Sequence, residues 1–184
     1  IAFDAVHTVS DSPPPGWEAV LGCFGADDDA NATARCLRDA FAAGDLKPNH
    51  SVPFSSDRKW SSLSIPDGPT IGTWVLGAPE IVFSGRDGYP AVEGEHERFV
   101  QLGLRTLVLA HSDEELTEAQ VSAHRLPGVL QPIALVTFAE KIRPDAATTV
   151  AYFREQGVSL RVISGDNPHT AATIARQVGL VFDG

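Results

Sequence analysis

The sequence predicts an α/β fold: a twisted, mainly antiparallel sheet flanked by helices, followed by a partial parallel βαβα segment. Three observations carry this. Two stretches rich in aromatic and branched residues, Pro53 to Ile65 and Ile71 to Leu76, flank the turn Asp67-Gly68-Pro69 and read as a hairpin. Leu104 to Ala110 and Val129 to Phe138 are further aliphatic runs of strand length, set apart by turn-rich segments. From Glu140 onward a helix, an aliphatic run and a second helix alternate, the order of a parallel unit.

In chain order, Ile1 to Val9 alternates apolar and polar residues as a strand does, and the three prolines of Ser10 to Gly16 forbid regular structure after it. Trp17 to Phe24 reads as a short helix broken by Gly25 to Asp29. A second helix starts at Asp29 or Asn31, either of which can cap, and runs to Ala43 before Gly44. Gly44 to Ser51 is turn-rich. In the hairpin, Phe54 opens the first strand, and Trp60, Leu63 and Ile65 depart from strict alternation, which predicts a bulge or a twist there. Pro79 opens a short helix through Phe83. Val92 to Leu102 is an amphipathic helix with Phe99, Val100 and Leu102 inward, and Ser112 to His124 a short exposed one. Pro132 marks the strand Val129 to Phe138 as an edge or an interrupted strand. The last segment comprises a helix Asp145 to Gln156, a buried strand Val158 to Ile163, the turn Ser164-Gly165-Asp166-Asn167-Pro168, and a helix from His169 or Thr170 to Val178. The change of character near Glu140 divides the chain into domains 1–138 and 139–184.

Composition narrows the function. A formal net charge of −10 over 184 residues, with no cluster of Lys and Arg, argues against nucleic acid or an anionic membrane as partner. Asp27-Asp28-Asp29 and the Glu93, Glu95, Glu97 set read as solvated charge runs. The two cysteines, Cys23 and Cys36, suit a reducing compartment and small buried hydrophobes. The six histidines lack ligand spacing, so no metal site is assigned. No apolar run reaches the length of a membrane span, and the first residues lack the marks of a signal peptide, so the chain reads as soluble.

Ser164-Gly165-Asp166-Asn167 lies between a predicted strand and a helix N-terminus, where open α/β sheets bind anions and where a plain capped turn also occurs. With Arg143-Pro144-Asp145, Gln156-Gly157-Val158, Thr170-Ala171 and Val178-Gly179-Leu180, it resembles the phosphorylation-domain segment of the P-type cation-transporting ATPases, which is Rossmann-like and related to the haloacid dehalogenases. Earlier, Pro53-Phe54-Ser55, Arg58-Lys59, Gly77-Ala78-Pro79-Glu80 and Leu104-Arg105-Thr106-Leu107 resemble, in order, motifs of the nucleotide-binding domain of the same pumps.

The resemblance implies ATP as ligand, Mg2+ in the intact enzyme, and the remaining domains of a parent pump as partners, at the cytoplasmic face of a membrane. It places Phe54 as the ring on which adenine stacks, Lys59 and Arg105 as phosphate-directed cations, and Gly77 and Ala78 at a close backbone approach to the nucleotide. The acidic residues that the family carries near the base fall on Asn31 and Ala34 here, and the resemblance leaves Asn31 and Thr33 to hydrogen-bond the base. Leu76 replaces the usual lysine before Gly-Ala-Pro-Glu, so weaker phosphate binding follows. The Asp-Lys-Thr-Gly-Thr segment with the phosphorylated aspartate and the Gly-Asp-Gly-x-Asn-Asp stretch are absent from the sequence, so the chain alone is expected to be inactive. Arg143, Ser164 and Asp166 would line the phosphoryl site only in the intact pump. The resemblance leans to calcium as cargo. Two other readings stand beside it: a free-standing haloacid dehalogenase-like phosphohydrolase with Asp4 at a strand end as nucleophile, and a nucleotide-independent interaction domain.

Overall fold

The computed structural model describes residues 1–163 and 168–180. Its centre is a six-stranded antiparallel sheet in the order β1-β6-β5-β4-β3-β2. The strands are β1 Ala2–Thr8, β2 His50–Val52, β3 Trp60–Ile65, β4 Gly72–Gly77, β5 Arg105–Ser112 and β6 Gln131–Ala139. Helices α1 (Trp17–Ala26) and α2 (Ala32–Ala40) cover one face. Trp17, Leu21, Phe24 and Leu37 meet Leu63, Trp74, Leu76, Leu109, Val136 and Phe138 there. The other face buries Val52, Trp60, Val75, Val108 and Leu135 under residues of α3 (Pro79–Val82) and α4 (Glu93–Gln101). Short α5 (Glu118–Ser122) lies beside β2, and α6 (Ala146–Glu155) and α7 (Pro168–Gln177) follow the sheet, with α7 resting on α4.

Cover on both faces explains the irregular pattern of β3. All its residues except Ser61 are buried, so alternation is lost without a bulge. The predicted bulge is absent: Trp60 to Ile65 pairs continuously with Gly77 to Gly72. Register shifts fall instead between Phe3 and Ala5 of β1 and between Leu109 and Ala110 of β5. The second lies opposite Pro132, which interrupts an interior strand where β1 has already ended, at the pair Thr8 and Ala134.

Tertiary contacts moved several other boundaries. Gly25 does not break α1; a Cβ there would lie 2.4 Å from the Arg38 backbone nitrogen, so the glycine lets α2 cross closely. Helix α2 stops at Ala40 rather than Ala43 because Phe41 is extended and sets its ring edge-on to Phe3, 5.3 Å between centroids. Leu102 is exposed instead of inward, since Gly103 turns the chain directly into β5. Cys23 and Cys36 are half-buried free thiols. Phe54 stands in a turn-rich loop before β3, not in a strand. Residues 158–163 form no strand, and Ile163 is 98% exposed; an aliphatic run is buried only where partners flank it, and none does so among the described residues.

Candidate functional site

The loop from Pro53 to Lys59 is built by short-range bonds. The Ser55 hydroxyl accepts from the Arg58 backbone N–H at 3.1 Å, and the Ser55 carbonyl accepts from the Lys59 N–H at 2.8 Å. Arg58 ties the loop down: its guanidinium donates to the Pro53 carbonyl at 2.6 Å, lies 5.5 Å from the Trp60 ring centroid, and approaches His124 Nδ1 at 3.5 Å. Lys59 then takes a left-handed backbone, φ 60°, with its side chain exposed. Its carbonyl accepts from the Ala78 N–H at 3.0 Å, which joins the loop to the end of β4.

Across from this loop stands the start of α2. Asn31 is its N-cap, with Oδ1 accepting from the Ala34 N–H at 2.9 Å, a contact typically worth about 1 kcal/mol to a helix. Between the two lies a small, open pocket with about 20 Å³ of free space, lined by Phe54, Asn31, Asp27, Asp29, Ser61 and neighbouring apolar residues. Phe54 is half-buried and is one of the residues that line the pocket. The strand parity places Ser61, Leu63 and Leu76 on this side of the sheet and Gly77 on the other.

The predicted residues therefore fall into three groups. Phe54 and Asn31 share the pocket. Lys59 and Ala78 are bonded through their backbones, and a Cβ on Gly77 would meet the Trp60 Cβ at 2.5 Å and the Lys59 carbonyl at 2.8 Å. Close approach at Gly77 is thus to β3, on the sheet face away from Phe54. Arg105 is elsewhere: its guanidinium donates to the Thr33 hydroxyl at 3.3 Å, lies 3.6 Å from Glu140, and lines a second, open cleft of about 580 Å³ with Glu140, Lys141 and Arg143. Leu76 is 2% exposed, so the position of the expected lysine lies in the core of the α1/α2 face. Ser164 and Asp166 lie outside the described residues.

Asp27 and Asp29 also line the pocket; Asp28 and Asp29 are exposed, as the reading of a solvated run expects, and Asp27 departs from it. Asp27 is half-buried: Oδ1 accepts from the Asp29 N–H at 2.8 Å and Oδ2 from the Ser51 hydroxyl at 3.3 Å. Its place four residues before the Asn31 cap was the available signal. Asp4 does not end a strand; β1 continues to Thr8, and Asp4 accepts a bond from Thr137 at 2.8 Å. Among the described residues no helix is long and apolar enough to cross a membrane, and no group of three His, Cys, Asp or Glu could hold a metal ion.

A family model for haloacid dehalogenase-like hydrolases matches residues 72–184. The calcium-transporting ATPase CtpE of Mycolicibacterium smegmatis is 39% identical over 158 residues, covering 84% of this chain and 19% of that protein. The probable cation-transporting ATPase exp7 of Streptococcus pneumoniae is 39% identical over 153 residues, covering 83% of this chain and 18% of that protein. The chain thus spans about a fifth of the length of these relatives. Among solved structures, a zinc-transporting PIB-type ATPase in the E2.Pi state superposes with a TM-score of 0.56 at 15% identity, covering 97% of this chain and 25% of that one, a likeness of fold.

Proposed function

We propose a function from one premise: the chain belongs to the haloacid dehalogenase-like hydrolase family, and its relatives place it among the cytoplasmic portions of the P-type cation-transporting ATPases. On this reading residues 1–138 are a nucleotide-binding domain and residues 139–184 part of the phosphorylation domain. The domain receives ATP and presents its terminal phosphate to an aspartate carried elsewhere in a larger pump. The names of the relatives favour calcium as the cation moved.

The observation that carries the reading is the pocket between α2 and the Pro53 to Lys59 loop, with the half-buried Phe54 ring beside the polar groups of Asn31 and Asp27. A purine needs an aromatic face for stacking and a few polar atoms at its edge, and the open rim of this pocket brings an aromatic side chain and polar groups together. Lys59, exposed at the foot of β3, supplies a positive charge for the phosphates. Leu76, buried on the same side, supplies none, so the base contributes a larger share of the binding than the phosphates do. Arg105, held by Thr33 and Glu140, joins Arg143 in the second cleft, where a phosphoryl group would pass between the two domains. Magnesium enters only as the ion carried by the nucleotide's phosphates.

Titration of the 184-residue chain with ATP, followed by calorimetry or the chemical shifts of Phe54, tests this. Phe54→Ala should weaken binding by roughly tenfold or more, the range of a lost base–aromatic stack. No binding at millimolar ATP, or an affinity indifferent to Phe54→Ala, overturns the reading in favour of a nucleotide-independent interaction domain.

A further inference from the structure

We infer that Arg58 is a positioning residue, which braces the Phe54 loop from behind and does not join Lys59 in serving the phosphates. The inference rests on the proposed nucleotide site and adds the part that holds its aromatic loop in place. Both chain neighbours of Phe54 are tied to the Arg58-Lys59 pair. On one side the Arg58 guanidinium donates to the Pro53 carbonyl at 2.6 Å. On the other, the Ser55 hydroxyl accepts from the Arg58 N–H at 3.1 Å and the Ser55 carbonyl from the Lys59 N–H at 2.8 Å. Phe54 is thus carried on a closed ring of chain, and the side-chain bond from Arg58 to Pro53 is its clasp.

The clasp is anchored on the core. The half-buried Arg58 sits 5.5 Å from the ring centroid of Trp60, which is itself buried and packs on the α3/α4 face of the sheet, away from the Phe54 pocket. Arg58 does not line that pocket. A third contact comes from the end of α5, where the guanidinium lies 3.5 Å from His124 Nδ1. Arginine has no acceptor, so this nitrogen receives the bond and the neutral imidazole carries its proton on Nε2. Carbonyl, indole and imidazole therefore hold one planar cation from three sides, and its Nε is buried with no partner among the described residues. The fork is turned on its own loop. An ammonium is a poor substitute, because it offers a point charge where these contacts need a flat group with separated donors. Lys59, next in the chain, is the contrasting case, with its side chain exposed.

Chemical-shift titration of the 184-residue chain with ATP and with adenosine, in the wild type, Arg58→Gln and Arg58→Lys, tests the inference. Arg58→Gln should weaken both ligands by the same factor, roughly tenfold, the order of one charge-assisted hydrogen bond. Arg58→Lys should fall with it. In the ligand-free variants the Phe54 amide should shift while those of Leu109 and Val136 in the core stay in place, which separates a displaced loop from a destabilised fold. His124→Ala, at an exposed position, covers the case in which the Arg58 variants fail to fold. It should move the Phe54 amide and weaken both ligands equally, by about twofold, as suits a long and partly solvated contact. A loss confined to ATP, or recovery in Arg58→Lys, makes Arg58 a phosphate contact and overturns the inference. A Phe54 amide unmoved in every variant, while Phe54→Ala still weakens ATP, overturns it too and leaves the nucleotide site standing. Absence of wild-type binding at millimolar concentration instead removes the nucleotide reading itself, and the positioning role with it.

Discussion

Replacing Gly77 by alanine separates two reasons for a glycine at the end of β4. In the pumps this sequence resembles, the glycine is associated with the nucleotide; here its missing Cβ faces Trp60. The added methyl would lie 2.5 Å from the Trp60 Cβ, 2.8 Å from the Lys59 carbonyl oxygen and 2.9 Å from the Trp60 Cα. None of these atoms is the end of a flexible side chain, so β3 and β4 must part at their first pair, Trp60 with Gly77. Gly77 has no positive φ, so alanine gains the usual 0.4 to about 1 kcal/mol from a stiffer unfolded chain. Overpacking costs about 1 to 3 kcal/mol, and backbone contacts on two sides place this site at the upper end. The net loss is about 2 kcal/mol, which lowers Tm by roughly 4 to 8 °C in a chain of this size. Thermal unfolding followed by circular dichroism measures it, with an ATP titration beside it. The Ala78 to Lys59 bond should loosen in the same variant, so affinity falls together with stability. A variant that melts with the wild type yet loses ATP would refute the packing argument and return the glycine to the nucleotide.

Two further outcomes are open to measurement. Burial holds His96 below the ordinary imidazole range despite Glu80 and Glu97, so the folded protein keeps it neutral while the unfolded chain protonates near pH 6.5. The sign follows: the unfolded state binds more protons, so this stability is present above about pH 6.5 and is lost as pH falls toward the folded value. Urea midpoints at pH 7.5 and 5.5 should drop more in the wild type than in His96→Gln, and equal drops would count against it. Truncation after Ala139 should leave ATP affinity within about twofold if residues 1–138 form the binding domain; because Arg105 is braced by Glu140, a larger loss would move the boundary downstream.

Much of this fold was readable because local rules decided it. Asn31 caps α2 as its side chain predicts, and Asp67-Gly68 turns the β3–β4 hairpin with Gly68 at φ 82°. Where distant segments decide, the sequence was mute. The turn-rich stretch ending at Ser51 supplies β2 because Ser64 and Leu63 offer it backbone partners. Val158 to Ile163 has the composition of a buried strand but nothing among the described residues to bury it. The site shows the same division. Phe54 was singled out through its motif and lines the pocket, whereas Asp27 stands in a run of three aspartates that looks solvated until its bond to Ser51 is seen.

The strand order has a mechanical consequence. Ala2 pairs with Ala139, so the chain enters and leaves the sheet side by side at one edge strand and its neighbour. Any larger body attached beyond these two residues grips the domain by a single two-stranded neck. The pocket proposed for the base lies against β3, four strand spacings from β1, or about 19 Å across the sheet. With that arm, a tilt of about 10° at the neck carries the pocket through about 3 Å. The stiff sheet between them is a lever, and small rotations at its fulcrum arrive at the pocket as movements of bond-making size.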